Sequence, residues 1–479
     1  MNRRARLLAL ATGASLIASP VLADDLREAL VTAYGTNPIL QGARAQQRAV
    51  DETVAIERAD GLPGASASAS HSEVLKNSDS SGMGPDRVFN GSVSLGVPVY
   101  SGGAVRNSVR AAKTRVEAGQ ADLRATESAV FSGVVAAYMD VMLNEAVVGL
   151  QRNQVRVLGT NLQATRDRYE IGDLTRTDVA QSQARLELAR SDSRSAESNL
   201  IAARERYIQF VGKAPVALQP PPPLPNLPET ADAALAVALD SNPDLIAARE
   251  RSRAADFDIN VAGSTRLPRV EVFTSGTYTD YYGSLGTGPG VFDQSSKGAT
   301  AGVRATIPLF QGGRPAALRR QAQARASATM EQEIAVERDV VAQVRAAYAS
   351  WRASNDVITS TETAVSAAEL SLEGVRAENS VGNRTILEIL NAEQELLQAR
   401  VRLATARRNA YVAGFALLAA MGKAEARDLG LDGGPLYDPE LNYNRVNGKW
   451  FDWDSDPAPV AQATRTVDTP SQDGEIPSQ

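Results

Sequence analysis

The chain is written twice. Asn37-Pro38 recurs as Asn242-Pro243, Ala43-Arg44 as Ala248-Arg249 and Leu62-Pro63 as Leu267-Pro268, each 205 residues further on. Past the next segment the spacing becomes 210: Pro98 matches Pro308, Gly102-Gly103 matches Gly312-Gly313, Ala136-Ala137-Tyr138 matches Ala346-Ala347-Tyr348, and Gly212-Lys213-Ala214 matches Gly422-Lys423-Ala424. A repeat of this length requires two equivalent structural units. The first is expected over 24–219 and the second over 229–424, joined by a Pro-rich linker, 220–228, which is a semi-rigid extended spacer. The five extra residues fall between 268 and 308, in a Gly- and Tyr-rich loop. Residues 425–479 have no counterpart, and the Ser/Pro/Asp composition after about Ser455 predicts a disordered tail.

Each unit reads helix, strand, strand, long helix, turn, helix. Asn37 and Asn242 are N-caps followed by Pro at the first helical position, and the Leu-Pro pairs end these helices, the first near Asp60. Alternation then marks strands. Val93, Leu95, Val97 and Val99 in one copy, and Ala301, Val303, Ala305, Ile307 and Leu309 in the other, share one face, with Ser94 and Gly96, or Gly302, Arg304 and Thr306, on the opposite face. Ala65 to Ser72 and Val270 to Tyr281 are the small or polar strands before them. From Gly103 to Tyr169 there is no Pro, which at 1.5 Å per residue gives a rod of about 100 Å. The returning helix, Thr175 to Val211, reaches about 55 Å and the opening one about 35 Å, so the two short helices stacked end to end nearly match the long one.

Seams between these rods are explicit. Val155, Leu158, Leu162, Thr165 and Tyr169 step by three and four, and Val365, Ala368, Leu372, Val375 and Asn379 repeat the pattern. Ile389, Leu396 and Leu403 step by seven beside Ala392, Ala399 and Ala406, the spacing of closely packed antiparallel coiled coils. Gly172 and Gly382 fit left-handed C-caps, and Thr175-x-x-Asp178 and Thr385-x-x-Glu388 are capping boxes that restart the chain as helix.

Composition narrows the function. Cys is absent and the only His is His71, which removes disulfide, thiolate and common catalytic zinc chemistry. No cofactor, metal or catalytic set is called for. Arg3, Arg4 and Arg6, an apolar run from Leu7 to Ala18 and Val21-Leu22-Ala23 form a secretory signal, with cleavage expected after Ala23. Losing it takes the formal charge from -6 to about -9, which argues against nucleic acid as a partner. Beyond residue 23 no uninterrupted apolar run approaches the length of a spanning helix, so membrane insertion would use strands.

Four strands cannot close a barrel with a lumen, which takes about eight, and four long helices leave broad faces uncovered. Cyclic association supplies both deficits at once. The motifs VPVYSGG (97–103) and IPLFQGGR (307–314), YEIGDLTRTDV (169–179) and NSVGNRTILEIL (379–390), together with the duplication, resemble the TolC family of outer-membrane factors over Asp24 to about Gly422. The resemblance implies a mainly α fold with a β-barrel portion: a homotrimer with a twelve-stranded barrel in outer-membrane lipid, a twelve-helix α-barrel through the periplasm, and an equatorial collar taking up the linker and the chain after Gly422. It implies passive export when docked through a periplasmic adaptor to an inner-membrane pump of the RND or ABC type, in drug efflux or type I secretion.

By the same resemblance, the turns at Gly172, Thr175, Gly382 and Thr385 form the periplasmic tip where adaptors dock. Asp178 and Arg384 correspond to a closing salt bridge. Glu388 and Asn391 occupy the positions of two acidic constriction rings, of which only the first is acidic here, so cation attraction should be weaker than with two. Arg304 should face the lumen or pair at the rim. The competing reading is a soluble periplasmic coiled-coil scaffold or adaptor, which explains the heptads and the export but not the strands.

Overall fold

The structure, a computed structural model, describes residues 25–76, 84–285, 293–431 and 436–476. The secretory signal and its cleavage position lie outside the described residues, as do residues 286–292 of the loop expected to hold the five extra residues.

Each repeat opens with two helices rather than one. Helix α1 (Leu26–Thr36) precedes α2 (Pro38–Ala59), and in the second repeat α5 (Ala231–Ser241) precedes α6 (Pro243–Ser264). The Asn-Pro pair is the reason. The Asn37 amide nitrogen still bonds back to Ala33 of α1, while its side chain accepts from Ile39 and Leu40 of α2; Asn242 does the same between Ala238 and Asp244/Leu245. One residue thus ends a helix and begins the next, and the following Pro has no amide to leave unpaired.

The strands β1 (Gly64–Glu73), β2 (Arg87–Tyr100), β3 (Arg269–Asp280) and β4 (Ser295–Thr306) form one antiparallel meander in the order β1-β2-β3-β4. The central pairing, β2 with β3, joins the two repeats, and β1 and β4 are left as edges. Ala65, Ala67, Val93, Leu95, Val272, Ala301 and Val303 share one face by register. Serines and threonines share the other, tied across strands by Ser66–Ser94, Ser68–Ser92 and Ser275–Thr300 hydroxyl bonds of 2.8 Å. Strand β4 stops at Thr306, short of the expected Leu309, because its partner begins at Arg269 and Pro308 has no donor.

Two 67-residue helices, α3 (Ala104–Glu170) and α7 (Arg314–Ser380), each turn back into a shorter one, α4 (Arg176–Val211) and α8 (Ile386–Ala420). Helix α3 is central, packed by α2 and α4 along its length and by α6 and α8 from the other repeat. The stacked arrangement is welded by an equivalent bond in each repeat: Asn37 Nδ2 donates to Phe210 O and Asn242 Nδ2 to Ala420 O, both at 2.9 Å. Next to the first weld lies the main apolar core, where Leu30, Phe131, Val134, Tyr138, Leu200, Tyr207, Phe415 and Leu418 are buried together.

Tyrosines hold the linker and the residues on either side of it. Tyr138 Oη donates to Gln219 O at 2.6 Å, Tyr411 Oη to Pro222 O at 3.0 Å and Tyr348 Oη to Glu229 O at 2.5 Å. Burial pushes the Tyr411 hydroxyl up to about 12. Helix α9 (Pro439–Val446) lies on α2, with Asn442 donating to Asp51 at 2.7 Å. The tail expected to be disordered is irregular but attached. Arg445 pairs with Asp456 at 2.6 Å, Arg204 reaches Asp473 O at 2.9 Å, and Ile476 packs on the main core. Composition does not see that α3 and α4 present a receiving groove lined by Arg152, Glu197 and Arg204.

Candidate functional site at the helical turns

The seams from the sequence converge on the two turns. Ala368 and Leu372 of α7 bury against Ile389, Ala392 and Leu396 of α8, flanked by Val365, Val375 and Ala399. Leu158 and Leu162 of α3 bury against Leu186 and Ala189 of α4. Leu390 of α8 joins this second cluster, so the two hairpins are packed on each other just above the turns. Tyr169, the last residue of its seam, is 45% exposed.

Both turns are built alike. Gly172 (φ 82°) and Gly382 (φ 83°) sit in the left-handed region, which a side chain would strain. Behind them Asp173 N bonds to Arg168 O, and Asn383 N to Glu378 O, each at 2.9 Å, closing the last helical turn. Thr175 N then donates to Asp178 Oδ2 at 2.9 Å and Thr385 N to Glu388 Oε2 at 2.8 Å. These bonds hold the Asp178 carboxyl below its ordinary value, the Thr175 hydroxyl contributing most. Glu388 is lowered chiefly by the Thr385 amide and next by Arg384.

Arg384 lies between two acids of its own hairpin, 2.6 Å from Glu378 and 3.0 Å from Glu388, which raise its pKa above the usual guanidinium value. Within the protomer Asp178 and Arg384 are therefore not brought together: each has local partners. Asn391, one turn up α8, accepts from Arg185 Nη2 of α4 at 3.0 Å. Two steps further, Glu393 is buried among three helices, receiving Asn161 of α3 at 3.2 Å and Arg376 of α7 at 3.0 Å. Arg185, Glu378 and Glu393 were not singled out from the sequence. A signal for Glu393 existed, since it interrupts the apolar row between Leu390 and Leu397; Arg185 and Glu378 are ordinary charges on solvated helix faces.

The geometry is a pair of coiled-coil hairpins ending in rigid capped turns, carried by a duplicated frame whose far end is a two-faced sheet. The sequence model of the family described as outer membrane efflux protein matches residues 29–213 and 234–423, once in each repeat. The chain belongs to this family. Efflux-family relatives agree along most of its length: the outer membrane efflux protein BepC of Brucella suis is 31% identical over 446 residues, 92% of this chain and 94% of BepC. The outer membrane protein TolC of Vibrio cholerae is 26% identical over 430 residues, 88% of this chain and 97% of TolC. The fold likewise matches that of the outer membrane protein VceC of Vibrio cholerae, with a TM-score of 0.70, 22% identity and coverage of 83% of this chain and 96% of VceC. The family is one of outer-membrane channel proteins rather than enzymes, and its shared fold is the long helical frame ending in a small antiparallel sheet.

Proposed function

We propose that three copies of this chain form a passive exit duct, with the sheet as one third of a twelve-stranded barrel in the outer membrane and the helices as one third of a periplasmic tunnel. The observation that carries this reading is the sheet itself. Its apolar face is uncovered, with Val93 60% and Val303 68% exposed, its other face is a ladder of hydroxyls, and among the described residues neither edge strand has a partner on its outer side. Such a surface is stable where lipid takes the apolar face, water the polar one, and further strands the edges. A soluble scaffold would leave all three unsatisfied.

On this reading the turns at Gly172–Thr175 and Gly382–Thr385 are the periplasmic end that receives an adaptor carrying an inner-membrane pump, for efflux of small molecules or for protein secretion. Glu388 and Asn391 surround the narrowest point, and Asp178 and Arg384 of adjacent copies form a closing link. Because the pump supplies the energy, the duct needs no catalytic group. The test is fractionation and conductance. Purified protein should extract from the outer-membrane fraction only with detergent, run as a heat-labile trimer and form channels in planar bilayers; a water-soluble monomer without conductance would overturn the proposal.

A further inference from the structure

We infer that the helix-proximal end of the barrel lumen binds organic anions through Arg304, whose guanidinium lies over the ring of Phe273. The inference rests on the trimeric barrel proposed above. Register places Arg304 on the hydroxyl-bearing face, opposite Glu271 on β3 and two residues from Gly302. An ion pair with Glu271 is the obvious outcome for such cross-strand partners, but it does not form. Among the described residues no carboxylate lies within ion-pair distance of Arg304; its guanidinium carbon is instead 4.6 Å from the Phe273 centroid. The Glu271 carboxylate leans the other way, over Gly96.

The small residue at 302 makes this possible. Phe273 lies across Gly302, where even a methyl group would come within 3.3 Å of the ring. The ring fits into that space and presents a face over which the guanidinium lies. The ring contact uses none of the guanidinium N–H groups, and among the described residues none of them has an acceptor, so they can take a carboxylate or sulfonate in paired hydrogen bonds.

Charge on this face supports an anion rather than a cation. The residues of the four strands that share the hydroxyl face include three charged ones, Arg269, Glu271 and Arg304, all within the last rungs next to the helices. Each chain therefore contributes one net positive charge there, and three chains make a net-positive ring in an otherwise neutral, hydroxyl-lined lumen. A ring of one sign within low-dielectric walls raises the local concentration of its counter-ion. With Phe273 the sole aromatic of these rungs on that face, the favoured solute combines an anionic group with a flat apolar body.

The probe is 8-hydroxypyrene-1,3,6-trisulfonate, a flat anion too polar to enter micelles, measured by equilibrium dialysis against the purified full-length protein in neutral detergent, with light scattering on the same samples. The expected result is saturable binding to a trimer, weakened at least tenfold in Arg304→Gln. Arg304→Lys, which keeps the charge without the planar edge, and Phe273→Leu, which removes the platform, should both fall between. Arg269→Gln should weaken binding less than Arg304→Gln. A trimer that binds the probe equally with and without Arg304 overturns the anion site and leaves the duct intact; a monomer by light scattering overturns both.

Discussion

Asn37 donates its side-chain amide to the carbonyl of Phe210 at 2.9 Å while its side-chain oxygen accepts from Ile39 N, 2.9 Å away. One side chain therefore satisfies the end of α4 and the start of α2, and makes two short helices behave as a single rod beside α3. Asn242 and Ala420 repeat the arrangement. Both functions need an amide, since a hydroxyl or carboxylate supplies the cap but not the same donor. Asn37→Ala should cost about 2–4 kcal/mol, the usual worth of an N-cap plus one orphaned carbonyl, and Asn37→Ser should lose about half of that. Thermal unfolding of the detergent-solubilised protein checks the order; equal loss in the two variants would show that the cap contributes nothing.

At the other end of the rods the backbone, not packing, limits substitution. Nothing lies within 4 Å of where a Cβ on Gly382 would stand, so a side chain meets open space but a φ of 83°. Gly382→Ala should destabilise by about 1–2 kcal/mol from that strain alone, whereas Gly382→Asn should cost less, because Asn tolerates the left-handed region. Differential scanning calorimetry of the two variants distinguishes strain from a steric cause, which would make the larger Asn the worse of the pair.

The frame was readable because its determinants are local or periodic. Asn-Pro, the turn glycines, the capping boxes and the three-four apolar steps each specify their own geometry, and each occurs twice at the same place in the repeat. Three things were not readable, for one shared reason. The docking of the tail on Arg204, the insertion of Leu390 between α3 and α4, and the burial of Glu393 against Asn161 and Arg376 depend on which long helices lie side by side. Periodicity identifies a helix's apolar face but not its neighbour. The choice by Arg304 of Phe273 over Glu271 was likewise invisible to alternation, which assigns a face and says nothing of where along the strand a long side chain leans.

Arg185 changes what an acid at position 391 would do. Its Nη2 already donates to Asn391 Oδ1 at 3.0 Å, so Asn391→Asp creates a carboxylate with a guanidinium in place. If these positions line the constriction, block by trivalent cations added from the periplasmic side should rise only modestly, on the order of twofold, in Asn391→Asp, because the pair is internally neutralised. In Asn391→Asp with Arg185→Gln the new charge is free, and block should strengthen by a further factor of about ten, the effect of roughly 1.4 kcal/mol. Single-channel block measured in both variants is decisive, and identical sensitivity would remove Arg185 from the pore.

Acid should loosen the tip, and the sign follows from the two capping carboxylates. Asp178 and Glu388 both titrate below their ordinary values of 3.8 and 4.5, because their ionised forms accept hydrogen bonds from Thr175 and Thr385. A carboxyl lowered in the folded state stabilises it fully above the ordinary value and loses that contribution as pH falls through the lowered one. Both turns are therefore intact at neutral pH and weaken below about pH 4. Arg384, raised by Glu378 and Glu388, stays charged throughout, so acid removes its acceptors rather than the cation. If the turns hold the proposed duct closed, single-channel conductance should be flat from pH 8 to 5 and step upward below about 4. Asp178→Asn with Glu388→Gln, which abolishes both ionised caps, should be open already at pH 7 and show no step. A wild-type profile without the acid step, or a variant that keeps it, would place the gate elsewhere than in these turns.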